Sequence, residues 1–242
     1  MTTAVHEAPP RRADEPGDPF RIFDCARIAS EEGRMWVEEN LCERAERTAR
    51  CSLNSVGLMR RRRVDEGREM LDEAEDGMAR LRGAIHPAMY ALLERWYSSA
   101  LAYYLYARKD LDGAEEGMIR AQRAVVEAIS LQPLVIPFAT GCSELHMNRA
   151  RIAATRRRWG TMKEHLDTGV RMGLGRMPFC TLADGTEVWQ SDVQRFIRSL
   201  PSDVTERWEE LPYILDNSLN ERYFDRLVRQ ISCMTNLAIQ YP

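Results

Sequence analysis

Three clusters of cations carry the most prominent chemistry in this chain: Arg60, Arg61, Arg62 and Arg63, then Arg108 and Lys109, then Arg156, Arg157 and Arg158. Guanidinium and ammonium groups in such runs bind phosphates or carboxylates. The chain as a whole, with 34 Lys plus Arg against 37 Asp plus Glu and a net charge of −3, adds no global attraction for a polyanion. An anion site must be local. A second group is aromatic: "ERWYSSALAYYLYARK" holds Trp96, Tyr97, Tyr103, Tyr104 and Tyr106. One helix face cannot bury all five, so some tyrosines are expected to line a ligand groove, with Tyr97, Tyr103 and Arg149 as its contacts. A third group suggests metal or acid–base chemistry. Cys142 and His146 are four residues apart, on one helical face at a metal-binding spacing, and Glu144, Glu164 and His165 extend the set towards a carboxylate–histidine centre. Two ligands do not make a site, and the Glu-x-x-His spacing of di-iron bundles is absent. "GLGR" at Gly173–Arg176 follows a helical stretch, not a strand, and reads as a helix end and turn, not as a phosphate loop. With no nucleophile elbow, HExxH or kinase signature, no catalytic residue, metal or cofactor is assigned.

The elements that position these groups are helices. From about Phe20 to Leu174, apolar residues return at intervals of three and four with few β-branched runs. Val64, Leu111 and Trp159, 47 and then 48 residues apart, each open the same pattern. Three residues on stand Gly67, Ala114 and Met162; seven on, Leu71, Met118 and Leu166; ten on, Ala74, Ala121 and Gly169. At fourteen, Met78 and Val125 agree and Gly173 departs. Small slots flanking a large one on a single face let a neighbouring helix approach closely. A first helix precedes each of these, with apolar members Val56, Leu58 and Met59, then Leu101, Tyr104 and Leu105, then Ile152 and Ala153. The expected fold is all-α, built from stacked antiparallel helix pairs.

The order apolar, small, large, small resembles the second helix of tetratricopeptide repeats. The resemblance spans about residues 36 to 173, with a period nearer 47 than the family's 34, hence longer helices. It implies an α-solenoid whose groove takes a protein or peptide, in a scaffold or regulatory role. The Lys and Asn set that clamps a peptide carboxylate in some of these domains is not recognisable here.

Residues 1 to 19, with four prolines among charges, read as a disordered arm, residues 20 to 174 as the repeats, and 175 to 242 as a hairpin or loop with capping helices. Asp184-Gly185 suits a hairpin turn between Phe179, Thr181, Leu182 and Thr186, Val188. Ser191 with Gln194 and Ser218 with Glu221 form capping-box patterns, and Pro201-Ser202 opens a further helix. The capping helices either close the stack or form a homo-oligomer surface. No leader-like apolar core and no run of about 18 apolar residues is present, which points to a cytoplasmic protein without membrane partners. Cys25, Cys42, Cys51, Cys142, Cys180 and Cys233, never as CxxC, read as reduced thiols.

The basic clusters fall at one shared position, the end of each first helix, where the helix dipole favours cations. Stacking would align them into a basic edge. The leading expectation is therefore a non-enzymatic binder of a protein or peptide. The alternatives are a small-molecule enzyme or sensor around His146, Glu144 and His165, and nucleic-acid binding along the edge, the least favoured class because no aromatic residues interleave with the arginines.

Overall fold

The computed structural model describes residues 39–199. Among these residues the chain is all-α apart from one minimal hairpin. Seven α-helices run in order: α1 (Glu39–Arg60), α2 (Val64–Leu81), α3 (Pro87–Ala107), α4 (Leu111–Leu131), α5 (Gly141–Thr155), α6 (Trp159–Gly173) and α7 (Gln190–Ser199). A 3-10 helix, Pro133–Thr140, joins α4 to α5. The helices pack as pairs α1–α2, α3–α4 and α5–α6, with α3 also against α1 and α2, and α4 against α5. No described helix is long and apolar enough to cross a membrane.

The repeat landmarks coincide with helix starts: Val64, Leu111 and Trp159 are the first residues of α2, α4 and α6. Every residue three, seven and ten positions on is buried, as are Met78, Val125 and Gly173 at fourteen. These faces form the contact between paired helices. At the α3–α4 seam small residues do this most closely, with Ala102, Ala114 and Ala121 fully buried around Met118. Burial of such a face supplies most of a helix's stability, because local propensity alone is marginal.

The remaining elements follow local chemistry. His86 Nδ1 accepts the Ala88 N–H at 3.2 Å and Pro87 occupies the first helical position of α3. Gln132 caps the 3-10 helix by accepting from Leu134 N at 3.3 Å, and Phe138 within it meets the Trp96 ring edge-on at 5.5 Å. The hairpin at Asp184-Gly185 forms with strands of two residues each, β1 (Cys180–Thr181) and β2 (Glu187–Val188), Cys180 opposite Val188. Gly185 takes φ +85° at its turn. One expectation is corrected: α7 does not start behind Ser191. It begins at Gln190, and Asp192 reaches back to accept the Trp189 N–H at 2.9 Å, so the acidic third position makes the cap. α7 packs on the 3-10 helix, at the end of the pairs opposite the basic turns. The arm at residues 1–19 and the helices expected after Pro201 and Ser218 lie outside the described residues.

Candidate functional site: a basic edge on three equivalent turns

The links inside the three pairs are the same structure. In the first, Arg62 N donates to Met59 O at 2.9 Å and Arg63 N to Leu58 O at 3.1 Å. In the second, Lys109 N donates to Tyr106 O (3.1 Å) and Asp110 N to Leu105 O (2.9 Å). In the third, Arg157 N donates to Ala154 O (2.9 Å) and Arg158 N to Ala153 O (2.9 Å). This doubled pattern is a Schellman turn, which requires its penultimate residue in the left-handed region, ordinarily a glycine. Here those residues are Arg62 (φ 64°), Lys109 (φ 67°) and Arg157 (φ 57°).

The chain supplies its own comparison. α6 ends in the same turn, Gly175 N to Met172 O and Arg176 N to Arg171 O, and there the left-handed residue is glycine, φ +65°. Among the described residues, all other positive φ angles belong to Gly83, Gly175 and Gly185. A side chain in this conformation costs roughly 1 kcal/mol. The three basic turns bear that cost; the fourth does not.

Two of the three turns carry a second local conflict. The residue closing each turn is also the N-cap of the next helix. Asp110 fits that role, accepting from Gly113 N at 2.9 Å, whereas Arg63 and Arg158 make no side-chain cap. The macrodipole thus explains the cations only in part: those at the end of the first helix sit favourably, but Arg63 and Arg158 face the positive start of the second. Arg63 is compensated by an ion pair with Glu66.

Contacts join the turns into one edge. Arg156 Nη2 pairs with Asp112 Oδ1 at 2.6 Å, and Tyr106 OH and Thr155 Oγ1 share a hydrogen bond at 2.8 Å, linking the second turn to the third. Arg60 lies over the Tyr103 ring at 5.7 Å, Tyr103 and Tyr106 are 6.5 Å apart, and Lys109 lies over Tyr106 at 5.9 Å. Aromatic residues therefore do interleave with the cations, brought from the preceding helix turn and not from the clusters themselves. Arg61, Arg62, Arg108, Arg157 and Arg158 are exposed, and among the described residues they make no ion pair.

The three groove contacts expected from sequence separate. Tyr103 stands on the basic edge. Tyr97 is in the core, 7% exposed, because α3 is covered by α1, α2 and α4 at once. Burial, and then its hydrogen bond to Glu75, push its hydroxyl pKa up to about 12. Arg149 is engaged between helices, its Nε 2.6 Å from Glu115 Oε1. The histidines do meet: His146 Nδ1 is 3.3 Å from His165 Nδ1, so one ring donates to the other's lone pair. Glu144 is elsewhere, half exposed, with Oε2 4.0 Å from Arg95. Cys142 is fully buried in the core, and among the described residues no three His, Cys, Asp or Glu side chains are placed to hold a metal. The basic residues were legible in sequence; the left-handed turns beneath them were not.

Comparison of the chain with protein families, curated proteins and solved structures finds no match. The functional reading therefore rests on the edge itself.

The buried histidine pair yields a pH prediction. Burial, then His165, then the Arg149 cation lower the His146 pKa from 6.5 to about 4, and burial lowers His165 as well. The folded pKa lies below the unfolded one, so the unfolded chain takes up the proton first and stability falls as pH drops from about 6.5 towards 4. Between pH 7.5 and pH 5, His146 alone is expected to remove about 2 kcal/mol. Urea unfolding at the two pH values checks this: His146→Leu should abolish most of the difference, and an undiminished loss in the variant would assign it to other groups.

Proposed function

We propose that the protein is a non-enzymatic, tetratricopeptide-like scaffold or regulatory protein that binds an acidic segment of a partner protein along its basic edge. The observation that carries the reading is the placing of Arg62, Lys109 and Arg157 in left-handed turns where the same chain elsewhere uses glycine. Local preference is violated three times in the same way, always with a cation, and such violations concentrate where function requires the side chain. Helices packed in pairs and a 47- to 48-residue period support the repeat character.

An acidic peptide fits this edge better than nucleic acid does. The Tyr103 and Tyr106 rings each have a cation on a face, which competes with base stacking, the main source of affinity for single strands. Asp65, Glu66, Asp110 and Asp112 alternate with the cations, and Asp112 is 94% exposed, a spacing of charges that repels a continuous polyphosphate but matches a peptide with interrupted carboxylates. The edge also replaces the groove as the binding surface, since Tyr97 is buried and Arg149 paired. Of the set around His146, Glu144 lies 4.0 Å from Arg95, while the Glu115 and Glu164 charges act on His165, the partner of His146; no feature beyond this cluster favours an enzyme.

Fluorescence anisotropy with a labelled peptide of interspersed Asp and Glu tests the proposal, with a single-stranded oligonucleotide of equal charge as the other probe. The peptide should bind at about 50 mM salt and weaken about tenfold or more by about 200 mM. Absence of peptide binding at low salt, or a preference for the oligonucleotide, would overturn it.

A further inference from the structure

The functional reading leaves unused a group of polar atoms inside the molecule, on one stretch of α3. Arg95 Nε, Ser98 Oγ and Ser99 Oγ are buried, and among the described residues no hydrogen-bond partner meets any of them. Buried polar groups are ordinarily bonded, because the bonds they gave up to water must be replaced. Three orphans so close together on one helix need an explanation. Arg95 and Ser99 stand four residues apart, neighbours on one helix face.

Arg95 is the least tolerable of the three. Its side chain is 15% exposed, and the carboxylate beside it, Glu144, holds Oε2 4.0 Å from Nη2, beyond hydrogen-bond range. A guanidinium taken out of water without a bonded anion is strongly unfavourable. Burial pushes its pKa down, with Glu144 opposing. The chain nevertheless makes room for the group. Gly141, at the start of α5, has φ −61°, a conformation any residue adopts. A Cβ there would meet Arg95 three times over, with Nη2 at 2.7 Å, Cζ at 3.5 Å and Nε at 3.6 Å. The glycine is required by the guanidinium and not by the backbone. The surroundings are aromatic: the Trp96 ring is 5.8 Å from the guanidinium and meets Phe138 edge-on.

We propose that Arg95 anchors a binding site for the carboxylate of a small organic acid, with the Ser99 hydroxyl, one turn on, as a further donor. Nε–H and the adjacent Nη2–H are parallel donors on one edge of the guanidinium, spaced to take both oxygens of a carboxylate. That edge contains the orphan Nε. A carboxylate bound there compensates the charge in apolar surroundings, where the attraction is strong. Glu144 decides against phosphate. It already shares the guanidinium, so a dianionic phosphate would leave two negative charges uncompensated where a carboxylate leaves one, and that one falls to a side chain 51% exposed to water. The ligand must be small because the guanidinium lies beneath the surface, and an aromatic body suits the Trp96 and Phe138 rings beside it. The site is separate from the basic edge: Arg95 stands about three turns before the end of α3.

Thermal unfolding of the full chain in sodium benzoate, against sodium chloride of equal ionic strength, makes the test. Benzoate should raise the Tm in a saturating way, by about 3 °C or more once it exceeds its Kd about tenfold, and inorganic phosphate should raise it less. Arg95→Met, which removes the charge at similar length, should abolish the response to benzoate. Arg95→Lys keeps a cation without the paired donors and should bind benzoate about tenfold or more weakly; it serves as the deciding variant if the methionine impairs folding. Equal Tm values in benzoate and chloride, or a larger rise with phosphate, would overturn the proposal. So would a response undiminished in the variants, which would place the acid elsewhere, on the cations of the basic edge.

Discussion

Replacing Gly117 with alanine is expected to destabilise the protein by about 2 kcal/mol, although alanine is the better helix former by about 1 kcal/mol. A Cβ at this position would lie 2.8 Å from the Ala102 Cβ, 3.2 Å from its Cα and 3.2 Å from the Ser98 carbonyl oxygen. These are backbone atoms and a methyl fixed to backbone, so no rotamer change can relieve the overlap. α3 and α4 must separate along their length. Separation would loosen the cluster that joins them to α5 through Leu145 and Ile152, so the larger Gly117→Leu should not fold at all. Gly57 makes the opposite prediction with the same chemistry. It lies inside α1, exposed, with no atom within 4 Å of the corresponding Cβ, and Gly57→Ala should stabilise by about 1 kcal/mol. Urea-unfolding midpoints of the two alanine variants, measured side by side, check both; equal shifts would show that the α3–α4 seam is not as tight as described.

The second large effect concerns the basic edge. Conversion of Arg62, Lys109 and Arg157 together to glycine should stabilise the fold while weakening partner binding. Each substitution removes a left-handed side-chain conformation; against the greater freedom of glycine in the unfolded chain, a net gain of about 0.5 kcal/mol per site is reasonable. The three sites lie in separate turns, so their gains should add. The same change removes three cations from a surface proposed to recognise carboxylates, and an affinity loss of about tenfold or more follows from their combined attraction at low salt. A residue kept only for local structure would not show this opposition of stability and binding.

Much of the architecture is legible in the chain because the paired-helix contact imposes a fixed order of small and large residues. Val64, Leu111 and Trp159 mark helix starts, and the slots after them are buried in all three pairs. The alignment of the basic clusters follows from the same register. What cannot be read is conformation that leaves no compositional trace. Glycine announces a left-handed residue at Gly175, whereas Arg62, Lys109 and Arg157 look like any surface cation. Tyr97 misleads because its neighbour Trp96 already accounts for one buried face. Only the enclosure of α3 by α1, α2 and α4 explains why both are covered. The histidine pair is likewise a product of packing: His146 meets His165 between α5 and α6. The cap of α7 fails for a simpler reason, since Ser191 and Asp192 both suit a helix start and the carboxylate serves from inside the helix.

The central claim is that the cations in the three turns are retained for binding at a cost to the fold. The triple variant Arg62→Gly/Lys109→Gly/Arg157→Gly tests it most directly, with thermal unfolding and anisotropy against the acidic peptide measured on the same preparation. A higher Tm together with affinity weakened about tenfold or more is the predicted result. A higher Tm with unchanged affinity would contradict the claim, leaving the turns strained for no purpose that binding explains.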